Sequence, residues 1–164
     1  MFSHTRRYLL SILALFALVA CSPDKPTFNA IDITGADYAK PFTLTDHNGQ
    51  SRSLNDFKGK VVVLFFGYTQ CPDVCPTTMT ELVEVKRLLG ADGDKLQGVF
   101  VTVDPARDTT ELLKAYMTNF DPTFVAFIPT AEQLAVVAKD FKIFYKKQEG
   151  KTPTSYTMDH SAGS

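Results

Sequence analysis

Cysteine and histidine are scarce in this sequence, three of each in 164 residues. Once the leader cysteine is set aside a structural zinc site of four thiolates is out of reach, and no histidine directly follows a cysteine pair, which excludes covalent haem attachment. An excess of charge is also lacking. The formal net charge is −1, or −3 once Arg6 and Arg7 leave with a leader, and no basic patch interleaves with aromatics, so nucleic acid is not a partner. The apolar run from Tyr8 to Ala20 has 13 residues, interrupted by Ser11. That falls short of the roughly 20 residues a spanning helix needs. Repeats and low-complexity segments are absent, and 45% hydrophobic with 21% charged residues fits neither disorder nor collagen nor a coiled coil. What remains is one globular domain with a core of its own.

The N-terminus, MFSHTRRYLLSILALFALVAC, has a basic start and then the short apolar run, which predicts a signal peptide over residues 1–20. Leu18-Val19-Ala20-Cys21 resembles the lipobox of bacterial lipoproteins. That resemblance implies that Cys21 is diacylated through its sulfur and becomes the first mature residue, with an uncut apolar anchor as the competing reading. The expected location is the bacterial cell envelope, lipid-anchored to a membrane with the domain facing the periplasm. Disulfides persist there. Residues 21–40 read as the lipidated cysteine and a tether, and 41–164 as the domain.

Phe42 and Leu44, the turn Asp46-His47-Asn48-Gly49 and a return over Gln50–Leu54 predict a hairpin. Asn55–Lys60 reads as a loop. Val61–Phe66 is a continuous apolar run expected to be a strand buried on both faces, with Gly67 letting its end bend. Pro76 suits the first turn of a helix running to Leu89 and stopping at Gly90. A second buried strand is expected over Gln97–Val103, a helix capped by Asp108 and reaching about Asn119, a strand over Phe124–Ile128, and a helix from Thr130 to about Phe141. Strands alternating with helices imply an α/β fold with a parallel or mixed central sheet flanked by helices. Ile143–Tyr145 reads as a further strand, Lys146–Pro153 as a polar loop, and Tyr156–Met158 as the start of an element that is cut off. The domain is therefore expected to be truncated at its C-terminus.

The chemistry concentrates in FFGYTQCPDVCPTTMT, where Cys71 and Cys75 sit between a buried strand and a helix start. A disulfide closing so short a loop removes little entropy from the unfolded chain, so a purely structural staple is the weaker reading. The positive end of a helix favours the thiolate, which is both nucleophile and metal ligand. A third ligand would come from histidine. His4 leaves with the leader, His47 lies in a turn, and His160 follows an aspartate able to orient its ring; spacing alone leaves His160 open. Two thiolates and an imidazole form a soft set that suits Cu(I), with zinc the competitor. Met79 and Met117 read as core rather than as ligands. In VDPARDT, Asp104-Pro105 ends a strand and Arg107 and Asp108 start a helix.

Taken together, FFGYTQCPDVCPTTMTEL, VFVTVDPARDT and YTMDHSA resemble, in order and spacing, the signatures of the Sco (SenC/PrrC) family across residues 40–164. The resemblance implies a thioredoxin-like fold and copper, as Cu(I) or Cu(II), held by Cys71, Cys75 and His160. It also implies delivery to the binuclear copper site of cytochrome c oxidase subunit II, with a periplasmic copper chaperone as a further expected partner. Such a metallochaperone needs no turnover. The alternative is a thiol:disulfide oxidoreductase in which Cys71 attacks an acceptor disulfide and Cys75 resolves the mixed disulfide. A peroxidase of the peroxiredoxin type shares the hairpin and the GK-VVVLFF strand, but the CPDVCP spacing argues against it.

Overall fold

A computed structural model of the protein describes residues 28–152 and 155–162; the expected signal peptide, His4 and Cys21 lie outside the described residues. The chain divides after Gly35, and the elements below belong to the unit that begins at Ala36. Strand β1 (Thr43–Asp46) turns back into β2 (Ser51–Ser53) as the hairpin signal predicts. Asp46 organises the turn. Its buried carboxylate accepts from the Asn48 and Gln50 amides at 2.8 and 2.9 Å and pairs with Arg52 Nε at 2.9 Å, while Gly49 takes a φ of +76°. The expected loop after it contains a short 3-10 turn, Leu54–Phe57, closed by a reciprocal capping box between Ser53 and Asp56.

Strands β3 (Val61–Gly67), β4 (Leu96–Thr102) and β5 (Val125–Ile128) run parallel, and β1 joins β5 antiparallel, giving a mixed sheet in the order β2-β1-β5-β4-β3. Helices α1 (Val74–Leu88), α2 (Thr110–Met117) and α3 (Ala131–Asp140) connect and flank it, so the expected α/β class with a mixed central sheet is the one found. All seven residues of β4 are buried. β3, at the edge of the sheet, differs from its expectation: only Phe65, Phe66 and Gly67 are fully buried, and Val61 is 66% exposed. The deep end of β3 is therefore the end that leads into the cysteines. Met79 and Met117 are core residues, as expected.

Two further differences matter for the site. Asp108 does not cap α2; Thr109 does, accepting from the Leu112 amide, which leaves Asp108 buried among the strand ends. The strand expected over Ile143–Tyr145 lies later, as β6 (Tyr145–Gln148), running into residues read as polar loop, and it pairs antiparallel with β7 (Thr157–His160), which falls on the element expected to start near Tyr156, so that Tyr145 pairs with His160. A ribbon of this kind keeps many side chains in water, so Lys146 and Lys147 occupy it without the apolar alternation that marks a strand.

Candidate metal centre

Cys71 lies in the turn after β3, and its amide donates to the Tyr68 carbonyl at 3.2 Å. Cys75 is the second residue of α1, and Pro76 follows within the first turn, where its missing N–H costs no helical bond. The capping residue Asp73 makes no side-chain bond to that turn; instead the Cys75 amide donates to Cys71 Sγ at 3.4 Å. One of the unpaired amides of a helix start is thus aimed at a sulfur. Both thiols are free, with Cys71 partly exposed and Cys75 fully buried. Burial, and then the hydrogen bond with Cys71, push the Cys75 thiol well above the usual range. At this position burial outweighs the thiolate-favouring helix start inferred from the sequence and favours the protonated thiol.

Gly67 makes room for Cys75. A Cβ there would stand 2.9 Å from Cys75 Sγ, 2.8 Å from Phe65 Cε1 and 3.0 Å from Phe100 Cε2. Close approach, and not a bend in the strand, requires glycine.

His160, at the end of β7, brings Nε2 to 3.5 Å from Cys75 Sγ. Its Nδ1 lies 3.0 Å from the Ser161 carbonyl oxygen, an acceptor that leaves Nε2 as the lone-pair nitrogen when Nδ1 carries the proton. The rings of Phe65 and Tyr68 meet the imidazole edge to face at 6.2 and 5.8 Å. Asp159 does not orient the ring; it alternates to the other side of β7 and binds Gln148 Nε2. The sulfurs of Cys71 and Cys75 and a ring nitrogen of His160 all lie within 4.8 Å of one another, the one such metal-ligating group among the described residues. Around an ion with bond lengths of about 2.0 to 2.3 Å, ligand atoms stand about 3.5 to 4 Å apart, so the cluster needs little contraction to fit a metal. His47 is placed elsewhere, accepting from the Ala126 amide through Nδ1 at 3.0 Å.

The VDPARDT stretch, read from the sequence as a strand end and a helix start, also supports the site. Asp108 accepts from the Thr69 hydroxyl at 2.6 Å, from the Thr69 amide, and from the Thr102 hydroxyl at 2.5 Å, pinning the loop that carries Cys71 to the end of β4. Burial pushes its carboxyl upward and those donors pull it back. An aspartate followed by threonines carries the same local signal as a helix cap, which is why this role was not legible.

The description SCO1/SenC fits residues 32–164 of the chain. The SCO2-like protein RP587 of Rickettsia prowazekii is 35% identical over 159 residues, covering 94% of this chain and 77% of that one. ScoI of Bradyrhizobium japonicum, solved with copper bound, is 43% identical with a TM-score of 0.70, over 75% of this chain and 78% of that one. BsSco, described with a disulfide switch as a member of the Sco family of cytochrome c oxidase assembly proteins, is 25% identical with a TM-score of 0.55, over 65% of this chain and 66% of that one. The fold is the thioredoxin-like one of these structures. With a match across nearly the whole described length, the chain belongs to the SCO1/SenC family.

Proposed function

We propose that the protein is a copper chaperone of cytochrome c oxidase assembly, with Cys71, Cys75 and His160 as ligands to its cargo. The observation that carries this reading is the convergence of two sulfurs and an imidazole nitrogen within 4.8 Å. Two thiolates and one imidazole are soft and few, a set suited to Cu(I). Entry of the metal displaces the thiol protons, and release proceeds by exchange of one ligand at a time for those of the acceptor, which we take to be the binuclear copper site of subunit II. The copper-bound ScoI supports the metal, and the description of BsSco supports the pathway. Tethering through a lipidated Cys21, after loss of residues 1–20, completes the proposal; the domain would begin near residue 41. Among the described residues no helix is long and apolar enough to cross a membrane. Cys21→Ala should leave copper binding intact and release the protein from membranes. Retention of that variant in the membrane fraction after a high-salt wash would make the apolar segment itself the anchor.

A second reading is favoured by the unequal exposure of the thiols. The partly exposed Cys71 is the one able to attack an acceptor disulfide, and the buried Cys75 is placed to resolve the mixed disulfide. The pair would then be oxidised to a disulfide while the acceptor gains two electrons and two protons. Imidazole is a ligand for copper but is dispensable for this exchange. His160→Ala should therefore weaken Cu(I) binding by about tenfold or more, while the two thiols still form and exchange a disulfide. Restoration of oxidase activity by His160→Ala in a strain lacking the protein, with none by a Cys71→Ser and Cys75→Ser double variant, would establish the reductase in place of the chaperone.

A further inference from the structure

Arg107 lies outside the sulfur and nitrogen cluster but touches the segments that carry both halves of it. Its Nε is 2.5 Å from Asp104 Oδ2, in a pair whose side chains are 12% and 3% exposed. Nη1 donates to Gln70 Oε1 at 3.0 Å and to the Tyr156 carbonyl at 2.8 Å. The guanidinium carbon lies 3.6 Å from the centroid of the Tyr156 ring and 5.8 Å from that of Tyr68. Tyr156 closes the circuit by donating its hydroxyl to Asp104 Oδ1 at 2.7 Å. Gln70 is the chain neighbour of Cys71, and Tyr156 immediately precedes β7, whose last residue is His160. One guanidinium thus joins the thiol loop to the histidine strand.

The hairpin requires such a hold. β6 and β7 pair with each other and not with the five-stranded sheet, and an isolated two-stranded ribbon is marginal in water. Without a backbone ladder to the body, the place of His160 depends on side-chain contacts. Arginine suits the task because its planar fork bonds in two directions while its face stacks on an aromatic ring, which an ammonium group cannot reproduce.

The geometry points to Arg107 and Tyr156 as a latch: positioning residues that, with Asp104, hold the β6–β7 hairpin so that His160 Nε2 faces the thiols. The inference rests on the copper reading above and extends it from the ligands to the device that delivers the third one.

Two measurements on the whole protein test it. In the metal-free protein, the Tyr68 and Phe65 rings, 5.8 and 6.2 Å from the imidazole, should displace the His160 ring-proton signals from free-histidine values. Arg107→Gln should return them toward those values. In a Cu(I) competition titration, Arg107→Gln should weaken binding about tenfold, as loss of an outer partner does, and Arg107→Lys should not rescue it. Because the latch acts through one ligand, Arg107→Gln should add little further loss in a His160→Ala background. An undiminished loss in that background, or unmoved His160 signals, would overturn the latch and leave the copper site standing. No weakening by His160→Ala itself would instead remove histidine from the site, with the ring signals still reporting on the latch. If Arg107→Gln yields too little folded protein, Tyr156→Leu replaces it with the same expectations, and unchanged ring signals and affinity in that variant overturn the proposal.

Discussion

Oxidising Cys71 and Cys75 to a disulfide should take the protein from one bound copper per chain to none, and a Cys71→Ser and Cys75→Ser double variant should behave the same way under reducing conditions. The effect is expected to be the largest of any change at the site. A disulfide offers no thiolates, and serine hydroxyls do not ionise near neutral pH, so two of the three proposed ligands vanish together. The loss should exceed the roughly 10- to 100-fold cost of removing an outer partner. Cys75→Ser alone should be nearly as severe, since its sulfur is the one 3.5 Å from His160 Nε2. Metal analysis after gel filtration, with thiols counted in parallel, reads the result. Stoichiometric copper on fully oxidised protein would sink the assignment of the cysteines as ligands.

Gly67→Ala should lower both stability and copper affinity while leaving all three proposed ligands in place. Its new Cβ would stand 2.9 Å from Cys75 Sγ and 2.8 Å from Phe65 Cε1. Both neighbours are essentially fully buried, so neither has space into which to retreat. Overpacking of this sort costs about 1–3 kcal/mol, a fall in Tm of roughly 4–11 °C for a domain of this size. Because Cys75 is one of the atoms displaced, copper affinity should fall as well. Gly98→Ala supplies the comparison: its Cβ would lie 2.7 to 2.8 Å from three atoms of the Phe124 ring. It should cost similar stability while leaving copper affinity intact, since Phe124 is not among the site's residues. Equal affinity in the two alanine variants would show that Gly67 serves the core and not the site.

The order of strands and helices was legible because β3 and β5 are continuous apolar runs and the helices announce themselves through Thr130, Pro76 and Gly90. The thiol pair was legible for the same local reason, lying where a strand gives way to a helix. His160 could be nominated but not placed, since nothing near it in the chain records that β7 returns to Cys75. The least legible residues were Asp108, Arg107 and Tyr156, whose partners are distant in sequence. Asp108 reaches Thr69, 39 residues earlier, and Arg107 reaches Tyr156, 49 residues later. Local propensity treats such residues as caps, turns and loop aromatics. Burial of the thiol was equally hidden: a helix start argues for an acidic Cys75, and its full burial, with the Cys71 hydrogen bond, reverses the sign.

Cys75 and His160 are separated by 85 positions. A ribosome adding about 5–20 residues per second makes the two thiols about 4 to 17 s before the histidine. The parallel pairing of β3 with β4 is itself non-local, joining Val61 to Leu96, and the hairpin can dock only after both are in place. Every nascent chain therefore passes through an interval in which both thiols exist and His160, the third ligand proposed above, does not. Under the copper reading, a disulfide formed in that interval would have to be reduced before the finished site could take up a metal.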